Sequence, residues 1–267
     1  MPEENRTKNR LGEEETAVYR EEGLVIPSYK LPAWTLARLL GALERLLAEN
    51  PNVRGEKLIS PHLVNNPREG VRGNETFLQF AQDPEILDMV EDLIGPDIIL
   101  WGTQMFCKPA GDGKEIPWHQ DGHYWPIRPL ATCTVWVALD DSTRENGAMR
   151  FLPGSHKHGL YRHHAEEGDH LALNQVLSPG QIEESTARDV VLKAGQMSMH
   201  DVYLVHSSPA NHSTKRRAGL AMRYMPATSY FDRSIRSLNT VADYSTRPIW
   251  LVRGVDRSGR NDFTMGH

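Results

Sequence analysis

From about residue 97 the chain breaks into short runs rich in branched, aromatic and other apolar residues. They read DIILW, TQMFCK, TVWVAL, MRFL, DVVL, QMSMHDVYLV and RAGLAMRYM, and are parted by Gly, Pro, Asn and Asp. Runs this short suit the strands of an antiparallel sandwich or jelly roll joined by tight turns. There is no internal repeat and no strand–helix alternation to support a different architecture. Two helices are expected ahead of this region. Leu36, Leu39, Leu40, Leu43, Leu46 and Leu47 recur at helical spacing over 33–49. A second segment has Asp83 as its cap, Pro84 in its first turn and Gly95 as its stop, with Ile86, Met89, Val90, Leu93 and Ile94 on one face. Both are expected to cover a sheet, so the fold class is mainly β with flanking helices. The length of 267 residues, 39% apolar content and lack of a linker predict one domain over 16–267 after a polar, flexible stretch over 1–15.

The chemistry concentrates in Trp118-His119-Gln120-Asp121-Gly122-His123. In a strand, residues i and i+2 face the same way, so His119 and Asp121 would aim an imidazole and a carboxylate into one space. That is two-thirds of a 2-His-1-carboxylate triad, a set that leaves open positions on Fe(II) for O2 and a bidentate co-substrate. An HxD pattern alone is common on surface strands. A second constellation, Val205-His206 through Arg216-Arg217, gives it weight. His206 can supply the third ligand from another strand. An arginine 11 residues further on can reach the same cavity and hold the far carboxylate of a dicarboxylate with a planar, always-charged fork.

These motifs resemble the phytanoyl-CoA dioxygenase (PhyH-like) family of Fe(II)/2-oxoglutarate oxygenases. The likeness begins at Tyr19-Arg20-Glu21-Glu22-Gly23-Leu24-Val25-Ile26-Pro27. It is densest in WHQDGHYWPIRP (118–129), TVWVALDDSTRENGAMRFLPGSHKHG (134–159) and HSSPANHSTKRRAGL (206–220). The resemblance implies a double-stranded β-helix (jelly-roll, cupin-like) core with iron held by His119, Asp121 and His206. It also implies a salt bridge from Arg217 to the C5 carboxylate of 2-oxoglutarate, with Arg216 as the register alternative, and a co-substrate site lined by Gln104, Trp136 and Ser208. The activity implied is C–H hydroxylation of a small molecule using O2, with release of succinate and CO2. Some relatives carry Ala or Gly in place of the HxD carboxylate and halogenate; this chain keeps Asp121. No clear match is found to a basic residue that some relatives place early in the chain against the co-substrate. Two rival readings are a redox-inert zinc hydrolase or isomerase on a cupin-like barrel and a non-catalytic binding barrel.

The remaining candidates are weaker. His123 shares the expected strand face of His119 and Asp121 and suits a role against substrate. Tyr124, Trp125 and Arg128 follow it, aromatic walls with one cation, as a small substrate with a polar or anionic group would want; such walls also suit a quaternary ammonium group. A coenzyme A thioester would call for a cluster of Lys and Arg, which this acidic chain does not show, so a small non-thioester substrate is expected. His200, on the strand expected to carry His206, is an alternative ligand. The histidines at 156, 158, 163, 164 and 170 have irregular spacing and no cysteine partners, and read as a solvated loop. Asn146-Gly147 and Pro153-Gly154 read as turns. Ile249-Trp250-Leu251-Val252 is too apolar for a free tail and is expected to pack on the barrel.

The formal charge of -5 and sequence pI near 6.2 argue against nucleic acid or an anionic membrane as partner. No apolar run is long enough to span a bilayer, and MPEENRTKNRLGEEE has no apolar segment of the signal-peptide kind. Cys107 and Cys133 lie in apolar strand-like runs and read as buried free thiols, in keeping with a cytoplasmic location.

Overall fold

A computed structural model describes residues 8–64, 71–235 and 244–265. The helices among them are α1 (Glu13–Glu22), α2 (Ala33–Glu49), α3 (Glu75–Ala81) and α4 (Pro84–Ile94). The two expected from the sequence form over the expected residues. The Asp83 side chain accepts from the Glu85 amide to open α4, and Gly95 closes it. The stretch expected to be flexible through residue 15 is ordered from Lys8 onward. Arg10 pairs with Glu91 and Asp92 on α4, and α1 begins at Glu13. Residues 1–7 lie outside the described residues.

The strands form two facing sheets. The major sheet runs β1 (Leu24–Val25), β11 (Met197–Asp201), β6 (Cys133–Ala138), β13 (Arg217–Pro226), β3 (Ile98–Lys108) and β15 (Trp250–Arg253), with β2 (Leu58–Ile59) also paired to β3. The minor sheet runs β10 (Arg188–Asp189), β7 (Arg150–Phe151), β12 (His206–Ser208) and β4 (Ile116–His119). Two small ribbons complete the set: β5 (Ile127–Arg128) with β14 (Tyr230–Phe231), and β8 (His163–Ala165) with β9 (Gln175–Leu177). All the strand pairings are antiparallel. This is the two-sheet jelly-roll arrangement of the double-stranded β-helix.

The period-2 alternation of the major sheet separates core from site. Cys133, Val135, Val137, Met197, Met199, Ala218, Leu220, Met222 and Tyr224 point to the helices, where they join Leu39, Leu43, Leu46, Ile86 and Met89 in the largest core. The intervening residues Thr134, Trp136, His200, Arg217, Ala221 and Arg223 face the minor sheet across a cavity of about 690 Å³, counted to its open mouth. Both cysteines are free and buried. The apolar segment near the C-terminus packs as expected: Ile249 is fully buried and Trp250–Arg253 extends the major sheet against β3. Among the described residues, no helix is long and apolar enough to cross a membrane.

Candidate metal centre

Two of the three candidate ligands meet because of strand register. His206 on β12 is the direct antiparallel partner of His119 on β4, and directly opposed side chains lie close together. Their rings stand 4.2 Å apart. Asp121 differs from expectation: β4 ends at His119, and Asp121 begins a 3₁₀ turn, Asp121–His123. The facing rule survives because Gln120 is still extended, at φ -121° and ψ 134°. The buried Gln120 side chain points away from the cavity. Its amide donates to the carbonyls of Gly159 and Tyr203, and its oxygen accepts from the Tyr161 amide. That clamp leaves His119 and Asp121 on the cavity side.

The ligand atoms of His119, Asp121 and His206 all lie within 4.8 Å of one another, and all three residues are buried. Among the described residues this is the one such grouping. In His119, Nδ1 lies 2.9 Å from the Pro117 carbonyl; in His206, Nδ1 lies 3.0 Å from the Leu204 carbonyl. A carbonyl only accepts, so each Nδ1 carries the hydrogen and each Nε2 presents a lone pair, the tautomer a metal requires. Nε2 of His119 faces Oδ1 of Asp121 at 3.8 Å. Two acceptors face each other there, and a cation between them satisfies both. Burial would raise the Asp121 pKa. The neighbouring His119 and His200 rings, aided by the charge of Arg223, outweigh it and hold the carboxylate well below its usual range. Burial, followed by the neighbouring His119 ring, pushes His206 down to about 3, so its imidazole is neutral. A two-imidazole, one-carboxylate set fits a divalent transition metal.

The floor of the cavity is laid out in cross-strand rows. Arg223, Thr134 and His200 form one row, and Ala221 with Trp136 and Gln104 the next; Arg217 and Lys108 lie at the far end. Arg217 is buried, and its Nη2 donates to the Gly147 carbonyl at 2.8 Å and to Ser208 Oγ at 2.7 Å. Its Nε has no partner, and no carboxylate pairs with it among the described residues. Burial pulls its pKa down to about 10. The guanidinium lies 5.3 Å from the Trp136 ring. A Cβ on Gly219 would stand 1.9 Å from that indole, so glycine is what lets Trp136 lie flat against the strand. Arg216, the register alternative, points outward to Asp140 and Glu44. A buried, incompletely paired guanidinium sharing a cavity with a metal triad fits a dicarboxylate.

Gln104, Trp136 and Ser208 all line this cavity, as the sequence suggested. Of the four substrate candidates, Tyr124 alone is in its wall. His123 sits on the turn beside it and stacks on His163 at 4.3 Å. Trp125 is buried against Trp101. Arg128 spends its guanidinium on the carbonyls of Trp125 and Ile127. The strand alternation that would have set His123 beside His119 and Asp121 ends with β4. His200 belongs to β11 of the major sheet, not to the strand of His206. It reaches the site all the same, with Nε2 3.6 Å from Asp121 Oδ2. In the loop expected to be solvated, His163 is half-buried and accepts from the Gln120 amide. The Asn146-Gly147 turn does more than reverse the chain, since the Gly147 carbonyl receives both Arg217 and Ser208. Arg223 and Lys108 were not singled out in the sequence; their alternation with Arg217 along β13 and their pairing across β3 become visible only once the strands are aligned.

A 2-His-1-carboxylate grouping and a buried, incompletely paired arginine in one cavity of a double-stranded β-helix are the features of a class, the iron- and 2-oxoglutarate-dependent oxygenases. Within it, the model of the phytanoyl-CoA dioxygenase (PhyH) family matches residues 19–219, and the chain belongs to that family. Human peroxisomal phytanoyl-CoA dioxygenase is 26% identical over 241 residues, covering 84% of this chain and 71% of the relative. Among solved structures, the non-heme monooxygenase ThoJ superposes with a TM-score of 0.71 at 28% identity, covering 92% of this chain and 85% of that one. The epimerase SnoN, solved with Fe3+, alpha ketoglutarate and nogalamycin RO, gives a TM-score of 0.66 at 27% identity, covering 82% and 85%.

Proposed function

We propose that this oxygenase hydroxylates an unactivated C–H bond of a small metabolite, converting 2-oxoglutarate and O2 to succinate and CO2 as it does so. One observation carries the reading: the cavity that gathers His119, Asp121 and His206 also holds Arg217, a buried guanidinium with no carboxylate partner among the described residues. His119 and His206 would bind Fe(II) through Nε2, and Asp121 through a carboxylate oxygen. Arg217 and the Ser208 hydroxyl would receive the far carboxylate of 2-oxoglutarate, with Trp136 shielding the arginine from water. Bound iron and 2-oxoglutarate supply the O2-activating, oxidising chemistry that side chains lack. The apolar walls, Phe106, Ile116, Met149 and Leu173 among them, keep the reacting C–H away from bulk water.

A zinc hydrolase or isomerase on the same barrel has no use for a buried co-substrate arginine, and a non-catalytic barrel has no use for the complete triad. SnoN is named an epimerase, so product analysis belongs in the test. The chain is incubated with Fe(II), 2-oxoglutarate, O2 and a panel of small metabolites, and succinate is measured together with the oxygen content of the product. Substrate-stimulated succinate with one added oxygen atom supports hydroxylation. Succinate with an isomerised product replaces hydroxylation by epimerisation. No iron-dependent succinate at all removes the oxygenase assignment.

A further inference from the structure

The cavity floor holds two arginines, and the function proposed above employs one of them. The second, Arg223, is 8% exposed and lies in the cavity wall beside Tyr124. Its Nη2 donates to Gln104 Oε1 at 3.0 Å, while its Nε is buried with no partner. No carboxylate forms an ion pair with it among the described residues; Asp121 is near enough to feel its charge, but the Asp121 oxygens are turned to His119 and His200. The guanidinium is held between two indoles, 5.8 Å from Trp101 and 5.1 Å from Trp125. A planar fork clamped between rings and short of an acceptor is prepared for an oxyanion.

Spacing separates this fork from the co-substrate. Arg217 and Arg223 are six residues apart on one face of β13, roughly 20 Å of strand. Arg223 shares its row with Thr134 and His200, on the Asp121 side of the cavity, whereas Arg217 lies at the Ser208 and Gly147 end. A five-carbon diacid held by Arg217 at one end and by the metal at the other leaves Arg223 free. Charge gives the same answer. A ferrous ion and a 2-oxoglutarate dianion cancel, Asp121 cancels one arginine, and the positive charge of the other is left uncompensated in a buried site.

Resting on the oxygenase reading, we propose that Arg223 is the substrate anchor and that the substrate is a small molecule bearing one oxyanion group, a carboxylate or a phosphonate. A single fork also disfavours a coenzyme A thioester, whose several phosphates need several cations.

The test is calorimetry on the full chain loaded with Fe(II) and saturating 2-oxoglutarate, without oxygen, so that Arg217 is already engaged. The probes are phenylacetate, phenylphosphonate, phenylacetamide and phenethylamine. Wild type should bind one or both oxyanions more tightly than the amide or the amine, and which oxyanion is preferred separates the two substrate chemistries. Arg223→Gln should lose that preference, by roughly 30-fold or more in oxyanion affinity, with 2-oxoglutarate affinity as in wild type. Arg223→Lys keeps the charge without the fork, serves as the check should the Gln variant fail to fold, and should lie between the two. Equal oxyanion and amide binding in wild type overturns the proposal, as does unchanged oxyanion binding in the variants. A loss of 2-oxoglutarate affinity in Arg223→Gln equal to that in Arg217→Gln also overturns it, by assigning Arg223 to the co-substrate. If wild type binds no 2-oxoglutarate, the oxygenase reading falls instead, and comparing oxyanion with amide across the three chains still decides for or against Arg223.

Discussion

Lys108 and Arg217 are direct partners in the pairing of β13 with β3, two basic side chains next to each other and both shut away from water. Lys108 Nζ lies 3.0 Å from the Ser208 carbonyl and 2.7 Å from Ser208 Oγ, and also meets the Pro209 carbonyl. Ser208 is thus held between the two basic groups and passes its own hydrogen to the Gly147 carbonyl. Burial first, and then Arg217, push the Lys108 pKa down to about 6.

That depression has a measurable sign. In the unfolded chain a lysine holds its proton to about pH 10.4. Between roughly pH 6 and 10 the unfolded chain therefore binds a proton that the native chain does not, and stability rises with pH, by up to about 1.4 kcal/mol per unit. His206 and His163, pushed down to about 3 and about 4, add a rise that is largely complete near neutrality. Denaturant titrations of the metal-free chain between about pH 7 and 8.5 should isolate Lys108 from the histidines below and the thiols above. Lys108→Met should flatten the slope. An equal slope in both chains would show Lys108 to be charged in the native state.

Arg217 and Arg216 face opposite ways, and their variants should differ accordingly. Arg217→Ala removes one partner of a buried carboxylate–guanidinium pair and should weaken 2-oxoglutarate binding by roughly 30-fold to several thousand-fold. Arg216→Ala loses an ion pair with Asp140 at 2.8 Å on a partly exposed face. It should cost at most about 1 kcal/mol of stability and leave 2-oxoglutarate binding alone. Anaerobic titration with 2-oxoglutarate measures the first effect and denaturation the second; a reversed ranking moves the anchor to Arg216.

The range of each interaction decides how much of it the sequence made legible. α2 and α4 were readable because apolar spacing and capping are local, and HxD with a later histidine was readable because extended backbone projects i and i+2 together. The direct His119–His206 pairing depends on inter-strand register, which no local pattern records. The expectation for His123 extended strand alternation past His119, where the chain turns instead. That for Trp125 and Arg128 rested on side-chain type alone, which does not record that Trp125 packs on Trp101 and Arg128 bonds backbone carbonyls. Arg223, Lys108 and the Gly147 carbonyl come to the site from separate strands and a turn, and their roles appear only when the sheet rows are assembled.

Gly219 gives a test of the packing around Arg217. A methyl there would collide with the Trp136 indole, which is itself pressed on the arginine. Gly219→Ala should cost about 1–3 kcal/mol by overpacking and loosen 2-oxoglutarate binding as Trp136 is displaced. Trp136→Leu alone opens space. If the clash is the cause, the double variant should be more stable than the two single costs predict, a coupling of roughly 0.5–3 kcal/mol. Strict additivity in denaturant unfolding would place the cost of Gly219→Ala elsewhere.

Asp121 separates the two histidines that compete for the third ligand position. Its Oδ1 faces Nε2 of His119, and its Oδ2 faces Nε2 of His200 at 3.6 Å. His206 has Nδ1 tied to a backbone carbonyl, which directs the lone pair of Nε2 into the cavity, whereas neither nitrogen of His200 has a hydrogen-bond acceptor of that kind. The metal should therefore need His206, with His200 positioning the carboxylate. A ligand present at about 100 times its Kd stabilises the native state by roughly 2.7 kcal/mol, a Tm rise of roughly 5–10 °C for a chain of this size. Mn(II), which binds such sites without oxidising, is a suitable probe in a thermal scan. His119→Ala, Asp121→Ala and His206→Ala should each abolish the rise while still unfolding cooperatively, and the same three variants should release no succinate. His200→Ala should keep a rise that requires more Mn(II) to reach. A full rise in His206→Ala together with its loss in His200→Ala would transfer the third ligand position to His200, leaving Asp121 and His119 in place.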